Sequence, residues 1–518
     1  MRTVLRCATA LLMVLVAAGP AWAQHDDGHG DDGYGESGSR FSDEPIPLAD
    51  IPDRPRPLIE IGPKFLGTGN ISQGFTIPTG AVWTPAFMVF GSIRTAAQGI
   101  ESRVADARFA EAVGRLDLFG NLYLTQTERA VIGISPLNEE GRFTSYSFLD
   151  EVNGESRLVV NEDGELVEPD DFQDGLNIRI TTLFFEGDIA ELFPKLDWDD
   201  SSPLDYYISV GRQPLSFQDG MLINEDILDM VGLTRANMKF GSWVNTRVAT
   251  VFGWGDVNRH SGFSGSGFGE CIELAEAAAL GGGLVGNCRD DSALLFGLFT
   301  ETDTRKRTVE IDAMYILADD QTGDGVYGGL GSTQRIGEYN NTFRVVGSYP
   351  IGEETPFNRA GALVHNQFGF TPHHTYNWAY INLFGGIGNY RSAARGPAAG
   401  GPLGQTGILW AAVGLGRFGA ALGNQADESV GGGVGYQMFF GKLRRQQLIL
   451  EAGGRYTYGS FDANDEFPIF EQNVAAGAAR FATAFGRRGV LSLTGFGAYD
   501  FEVSQPNFGA RVEVSLQL

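Results

Sequence analysis

The sequence predicts an all-β protein, a transmembrane antiparallel β-barrel of about 18 strands. Three observations lead to this fold class. From Asn507 to Leu518, apolar and polar side chains alternate, which is typical of a strand with one face in lipid. Many other segments alternate in the same way, and their connections are short on one side and long and acidic on the other. After the N-terminal segment, no run approaches the ~18 apolar residues that a transmembrane helix needs.

The N-terminal region predicts export. Residues 1–23 combine a basic start, an apolar core over residues 8–18 and a small-x-small motif at Ala21 and Ala23, so we expect a signal peptide that ends before Gln24. Residues 24–79 are expected to form a periplasmic, acidic and proline-rich leader, whose first part has the composition of a disordered segment. Residues 80–518 are then the barrel, located in the outer membrane of a bacterial cell.

The strand candidates begin with residues 82–97 and continue to the chain end. In the candidate 115–125, Leu116, Leu118 and Leu122 share one face. In 308–318, Val309 and Ile311 lie opposite acidic neighbours. The other candidates are 129–135, 176–188, 205–216, 233–240, 244–254, 293–302, 342–349, 359–371, 377–390, 407–416, 430–440, 446–458, 473–485, 489–501 and the terminal strand.

Connection lengths predict the orientation. If the C-terminus is periplasmic, the short connections 126–128, 303–307, 441–445 and 486–488 are periplasmic turns, and the long connections 137–175, 257–292, 319–341 and 459–472 are extracellular loops. Two connections do not fit. The long connection 391–406 falls on the periplasmic side, and the short connection 372–376 falls outside, which indicates that a strand in this region is misplaced.

Two cysteines remain after the signal peptide, Cys271 and Cys288. An even pair in an exported chain predicts one disulfide, here across an extracellular loop. The alternative is two free thiols.

Other functional classes have little support. The six histidines have no spacing typical of zinc, and no Gly-x-Ser-x-Gly elbow is present, so we expect neither an enzyme nor a cofactor or metal. No basic stripe with interleaved aromatic residues indicates nucleic acid. The expected partners are the outer-membrane lipid bilayer and a small or polymeric solute, and a monomer is expected.

Arginines dominate the polar faces of the strand candidates, although the chain as a whole has a formal charge of −26. A row of guanidinium groups along a pore concentrates anions. The alternative is that internal ion pairs neutralise them, as Arg511 and Glu513 could do. The arginines expected in the lumen are Arg94, Arg179, Arg212, Arg235, Arg247, Arg344, Arg455 and Arg511.

A second motif lies in residues 211–220, which read Gly-Arg-Gln-Pro-Leu-Ser-Phe-Gln-Asp-Gly. Here the chain resembles the alginate-export-like outer-membrane porins, 18-stranded channels for an anionic polysaccharide. The resemblance extends loosely from residue 80 to the end, although the last residue is Leu518 where such barrels usually have an aromatic residue. It implies that Arg212 and Gln213 face the lumen and that residues 217–229 fold inward. The expected constriction loop includes Phe217, Asp219, Glu225, Asp226 and Asp229.

These patterns predict a porin-like channel for passive passage of solutes, with anionic sugars or other anions as candidates. The alternative is a non-conducting structural or surface-binding barrel, closed by the leader or by residues 221–229. Gly431, Gly433 and Gly435 favour an open lumen, because a filled lumen would need bulky inward residues. We expect Arg212, Arg235 and Arg247 to share one lumenal face and to favour anions, unless carboxylates of the inward loop pair with them.

Overall fold

A computed structural model of the chain describes residues 57–62 and 74–518, apart from residues 105, 126, 140–141, 157–158, 161–165, 168–170, 197–204, 242, 260–291, 319–321, 356–357, 397–400, 412 and 460–472. Within this described part, no helix is long and apolar enough to cross a membrane. Among the same residues, the helical elements are one short α-helix, α1 (Ile189–Leu192), and one 3-10 helix (Lys442–Arg444).

Strands make up almost all of the regular structure. In chain order they are β1 Ile59–Ile61, β2 Phe75–Thr76, β3 Val82–Trp83, β4 Ala86–Ser102, β5 Ala107–Tyr123, β6 Arg129–Ile134, β7 Asn138–Glu139, β8 Arg142–Val152, β9 Glu155–Ser156, β10 Val159–Val160, β11 Leu166–Val167, β12 Phe172–Gln173, β13 Ile180–Asp188, β14 Tyr206–Phe217, β15 Ile223–Met238, β16 Asn245–Asp256, β17 Ser292–Asp303, β18 Arg307–Ala318, β19 Asp324–Ile336, β20 Tyr339–Ile351, β21 Gly361–Phe370, β22 Trp378–Gly388, β23 Ser429–Phe440, β24 Gln446–Thr457, β25 Val474–Phe485, β26 Gly489–Asp500 and β27 Gln505–Gln517.

The main sheet closes into an antiparallel barrel with 18 strand positions. Each strand from β13 to β27 pairs with the next, and β27 closes the ring on β4, with Asn507 opposite Ser102 and Gln517 opposite Ser92. Two of these positions are each filled by two shorter strands. Strands β6 and β8 cover the two halves of β5, and β12 and β13 pair with β8 and β6 in turn. The predicted fold class is therefore confirmed.

Connections are short at one end of the barrel, which we call the turn end, and mostly longer at the other, the loop end. The turn end holds connections such as residues 304–306, 337–338 and 486–488. The loop end holds the long connections, among them residues 389–428 between β22 and β23. This asymmetry is typical of barrels that span the outer membrane.

Burial alternates along the strands and separates the two faces. On β17, Leu295 and Phe299 are 0% and 2% exposed and face the lumen, whereas Phe296 and Leu298 are 43% and 48% exposed and face outward. Directly paired residues share a face, so this assignment passes from strand to strand through the register. Exposed outward aromatic side chains lie near both ends, with Tyr456 and Tyr499 toward the loop end and Phe440 and Phe485 toward the turn end. Such girdles mark the two interfaces of a membrane barrel.

Two strand assignments made from the sequence are wrong and cancel in the count, and the predicted loop 137–175 contains a further strand, β8, which pairs with β5. Strand β19, Asp324–Ile336, lies within the predicted loop 319–341, because its glycines interrupt the alternation of apolar and polar side chains. The predicted strand 407–416 is not a strand, because its apolar residues, such as Leu409 and Trp410, are buried in a long connection. When β19 takes the place of the predicted strand 407–416, short and long connections alternate as expected. Residues 371–377 are then a turn-end connection, and residues 389–428 are a loop-end connection.

Part of the predicted leader contacts the barrel. Strand β1 pairs with the beginning of β4, with Ile59 opposite Val89 and Ile61 opposite Phe87. It lies beside β4 past the point where β27 ends. The leader therefore adds a short strand to the turn end.

Candidate functional site

Residues 389–428 form a long connection that enters the lumen, and we call it the lumenal insert. Tyr390, Leu403, Leu409 and Trp410 of the insert are all 0% exposed. The chain contains too many contiguous apolar residues here for an exposed loop, and burying them against the inner barrel wall removes them from water. The insert is the largest element inside the described barrel.

Trp410 fixes one side of the insert against β23 and β24. A Cβ built on Gly433 would lie 2.7 Å from Cη2 of Trp410, and one on Gly453 would lie 2.8 Å away. The Trp410 and Phe384 rings meet edge to face with centroids 6.2 Å apart. The carboxylate of Glu451 accepts from the Ile408 amide at 2.6 Å. The inward glycines of β23 thus make room for bulky side chains from other elements. Their lack of side chains therefore does not indicate an open lumen.

The insert reaches a second wall, formed by β4 and β5. Arg94 donates to the Val413 carbonyl at 2.9 Å, and Gln98 donates to the Leu415 carbonyl at 2.9 Å. Arg417 forms ion pairs with Glu111 at 3.3 Å and with Asp150, on β8, at 2.7 Å. The insert therefore crosses the lumen from β22–β24 to β4, β5 and β8.

The tip of the β14–β15 hairpin also lies inside the barrel. Phe217 stacks on Phe299 of β17, with centroids 3.5 Å apart. Gln218 donates to Asp312 of β18 at 2.6 Å, and Asp219 pairs with Arg344 of β20 at 3.1 Å. The tip therefore bridges toward β17, β18 and β20.

The hairpin and the insert contact each other. The Tyr390 hydroxyl donates to the Met221 carbonyl at 2.8 Å, and the Asn224 amide donates to the Ala394 carbonyl at 2.9 Å. Arg395 donates to the carbonyl of Gly220. Arg395 is 2% exposed, and this burial lowers the pKa of its guanidinium to about 10. The two inward elements form one packed unit.

The other predicted constriction residues lie apart from the tip. Glu225 is 1% exposed and accepts from the amide and the side chain of Asn258 at 2.9 Å and 2.7 Å. Asp226, its neighbour, is exposed. Asp226 lies beside Gly396 of the insert, within electrostatic range of Arg115 on β5. Phe217 and Asp219 reach β17 and β20, whereas Asp229 lies on the outer face.

Arg212 and Arg235 do not share a face with Arg247, so this part of the expectation is wrong. In the register, Arg212 pairs with Asp229, and Asp229 pairs with Trp254, which is outward and 37% exposed. Arg235 pairs with Val248 on the same outward face. The physical reason is that side chains alternate with period two, so a neighbouring lumenal residue such as Gln213, 7% exposed, forces Arg212 outward.

Both outward arginines have partners on that face. Arg212 forms a bidentate ion pair with Asp229, at 2.9 Å from Nε and 2.7 Å from the second nitrogen. Arg235 lies over the Tyr206 ring, 5.3 Å from its centroid. Arg179 precedes β13 and lies within electrostatic range of Asp229. Arg212 and Arg235 therefore do not line the lumen.

The remaining predicted arginines lie on the lumenal face, and most are paired. Arg94 and Arg511 both pair with Glu513, the first at 2.7 Å. Arg247 pairs with Glu301 at 2.8 Å. Arg344, on β20, pairs with Asp219 and with Glu310 at 3.2 Å.

The walls differ in the sign of their charges. Arg480 of β25 lies opposite Thr494 of β26, and Thr494 lies opposite Arg511 of β27. Two guanidinium groups therefore lie on the lumenal face with one strand between them. Both lie within electrostatic range of Arg94 and Glu513. Across the barrel, Glu301 and Glu310 are direct neighbours on β17 and β18. The lumen is therefore basic along β25–β4 and acidic along β17–β18.

Sequence reasoning missed the insert and its anchors, Trp410 and Arg417. The only signal was the run of apolar residues around Trp410, which does not alternate as a strand would. The predicted disulfide residues, Cys271 and Cys288, lie outside the described residues. In the described part of the chain, no group of histidine, cysteine and acidic residues is arranged to hold a metal ion.

Comparisons with known proteins agree with the fold. No protein-family model matches the sequence, and no curated protein does. A BenF-like porin from Pseudomonas fluorescens Pf-5 is 10% identical, with 83% of this chain and 98% of that chain covered and a TM-score of 0.51. OccK9 (OpdG) from Pseudomonas aeruginosa is 9% identical, with the same coverage and a TM-score of 0.50. The chain thus has the 18-stranded barrel fold of outer-membrane porins, and the finer resemblance to alginate-export-like proteins stays a prediction.

Proposed function

We propose that this protein is an outer-membrane channel for passive passage of small solutes, with anions favoured on its basic wall. The observation that carries this proposal is a closed barrel whose lumenal face is charged. In a barrel, an apolar outer face and a charged inner face are the arrangement that conducts water and solutes through lipid. Channel function also fits the fold shared with porins better than catalysis does.

The basic wall gives the preference its physical basis. Arg94, Arg480 and Arg511 surround one carboxylate, Glu513. Ions in a narrow lumen interact mainly with charges closer than a Debye length of about 8 Å, so the acidic total of the chain counts less than this wall. The solute class would be small anions, and the finer proposal, from the alginate-export-like resemblance, is an anionic sugar.

The insert supports a second candidate, a barrel whose lumen is closed at rest. Trp410 sits in the glycine gap of β23 and β24, and Arg417 holds the opposite wall. These two contacts fix the middle of the insert against two walls of the lumen. This arrangement favours low conductance until the insert moves.

The remaining parts of the proposal follow from the sequence. Residues 1–23 would be removed on export, residues 24–79 would lie in the periplasm, and residues 80–518 would form the membrane barrel. Contact between β1 and β4 supports a leader that stays near the turn end. A monomer is proposed.

Single-channel recording in planar bilayers tests both candidates. A channel predicts discrete steps and a reversal potential that favours chloride in a potassium chloride gradient. A barrel deleted of residues 401–422 serves as the comparison, because the deletion removes the part of the insert that crosses the lumen. Absence of steps from both proteins would exclude a channel, whereas steps from the deleted barrel alone would favour the closed state.

A further inference from the structure

Arg455 is an unusual charge in this lumen. It lies on the lumenal face of β24 at 7% exposure, and its Nε and one terminal nitrogen have no hydrogen-bond partner. Within the described part of the chain it has no ion pair. Asp427 is within electrostatic range, but the Asp427 carboxylate is already paired with Arg391. A buried guanidinium group that must share its counter-charge and lacks hydrogen-bond partners is unfavourable.

The residues around Arg455 form a trough lined by two glycines. In the register, Arg455 lies opposite Gly431, and Gly431 lies opposite Phe384. Gly433, two residues along β23, lies opposite Asn382. Because Gly431 and Gly433 lack side chains, the floor of this trough is backbone. We call it the glycine trough.

Other hydrogen-bonding groups at the glycine trough also lack partners. Nε1 of Trp410 and both polar side-chain atoms of Asn382 are unpartnered, at 0% and 3% exposure. Buried polar groups nearly always have a partner, which can be water or a ligand. Trp410 lies over the Gly433–Gly453 pair, two residues along the strands from Gly431 and Arg455, and Asn382 lies opposite Gly433.

We propose that the glycine trough binds a small planar oxyanion, of the size of nitrate or bicarbonate, as a resident counter-ion of Arg455. The inference is independent of conduction and goes beyond the proposed channel function. A guanidinium group presents a planar fork of donors that matches two oxygens of such an anion. In this site the unpartnered Trp410 and Asn382 donors would bind its remaining oxygen atoms.

The size and charge of the ligand follow from the same residues. A Cβ on Gly431 would lie 2.4 Å from the Phe384 ring, and one on Gly433 would lie 2.7 Å from Trp410. These rings already lie over both glycines, so a ligand of Arg455 has to be small. Arg455 shares the Asp427 carboxylate with Arg391, so one further negative charge would balance the two guanidinium groups. Because Trp410 belongs to the lumenal insert, the bound anion would also stabilise the packing of the insert against β23 and β24.

Thermal unfolding of the full-length barrel in detergent, followed by the heat-dependent shift in gel migration, tests this site. The protein is kept in a buffer whose only anion is a bulky sulfonate, and sodium nitrate or sodium chloride is added at equal ionic strength. A ligand that binds only the folded state raises the unfolding midpoint, and we expect nitrate to raise it by about 2 °C or more above chloride. Equal effects of the two salts would overturn the proposal.

Three variants assign the effect to the trough. Arg455→Met removes the charge at similar length and should abolish the nitrate-specific rise. Asn382→Asp places a carboxylate in the trough, and we expect it to remove the nitrate response while raising the midpoint in the sulfonate buffer. Arg247→Met is the control, because Arg247 pairs with Glu301 at another wall, and it should keep the full response. A full nitrate response in Arg455→Met or in Asn382→Asp would contradict the site.

Trp410 fluorescence provides a reading that does not depend on stability. Nitrate should change the emission of the unmodified protein, and the change should disappear in Trp410→Phe. A nitrate-induced change of equal size in Trp410→Phe would contradict binding beneath this ring. Conductance without any nitrate response would reject this site and leave the channel, whereas a nitrate response without conductance would reject the channel and leave this site.

Discussion

The indole ring of Trp410 occupies the space above Gly433 that a side chain on β23 would otherwise fill. A Cβ on Gly433 would lie 2.7 Å from Cη2 of Trp410 and 3.0 Å from the Ala452 carbonyl oxygen. The absence of a side chain at Gly433 therefore allows the lumenal insert to pack against β23. The conformation of the insert, and with it the width of the lumen, depends on this contact.

Replacing Gly433 with valine should displace Trp410 and loosen the insert, because real Cβ contacts this short do not occur and a packed site has no free volume. We expect a larger single-channel conductance and a red-shifted tryptophan emission. Gly477→Val on β25 is the matched control, since a Cβ there meets only the Glu451 carbonyl oxygen at 3.9 Å. Unchanged conductance and emission in Gly433→Val would show that the insert does not limit the path.

Anion preference should depend on Arg94 and Arg480. Neutralising both as Arg94→Gln with Arg480→Gln leaves Glu513 with one arginine, Arg511, on this wall. The reversal potential in a potassium chloride gradient should then shift toward potassium, because the lost charges lie within a Debye length of about 8 Å of a permeating ion.

The two outward arginines provide the control for this measurement. Arg212→Gln with Arg235→Gln removes the same formal charge from the outer face, where Arg212 pairs with Asp229 and Arg235 lies on Tyr206. We expect the reversal potential to stay unchanged. A shift equal to that of the lumenal pair would contradict the assignment of faces.

Asp219 should oppose anion passage at the hairpin tip. It is 48% exposed and shares Arg344 with Glu310. Asp219→Asn removes a negative charge from the lumen while Glu310 still pairs with Arg344, so we expect a shift of the reversal potential toward chloride. Glu338→Gln is the control, because Glu338 is 65% exposed near the turn end and contacts His373. If the hairpin tip lies outside the ion path, Asp219→Asn and Glu338→Gln should give equal reversal potentials.

The disulfide between Cys271 and Cys288 stays a prediction from the sequence and the oxidising compartment. Intact-mass analysis of the mature protein without reductant should show a mass lower by two hydrogens than the reduced form. Alkylation before reduction should leave both cysteines unmodified. Two alkylated thiols would contradict the bond.

Much of the barrel could be predicted because its signal is local. A strand between lipid and lumen must alternate apolar and polar side chains, and this pattern is visible in segments such as the terminal strand, β27. The prediction failed where local and tertiary requirements differ. Strand β19 contains glycines that a short-range pattern reads as turns, but its neighbours β18 and β20 complete its hydrogen bonds.

The sequence by itself determined the fold class, the approximate number of strands and the abundance of arginine on polar strand faces. Only the tertiary structure decided which of those arginines meet the lumen. A shift of one residue moves a side chain to the opposite face, so Arg212 faces outward while its neighbour Gln213 faces inward. The path of the insert was also decided in three dimensions, because the contacts of Trp410 and Arg417 join residues far apart in the chain, and no local pattern encodes which wall each one reaches.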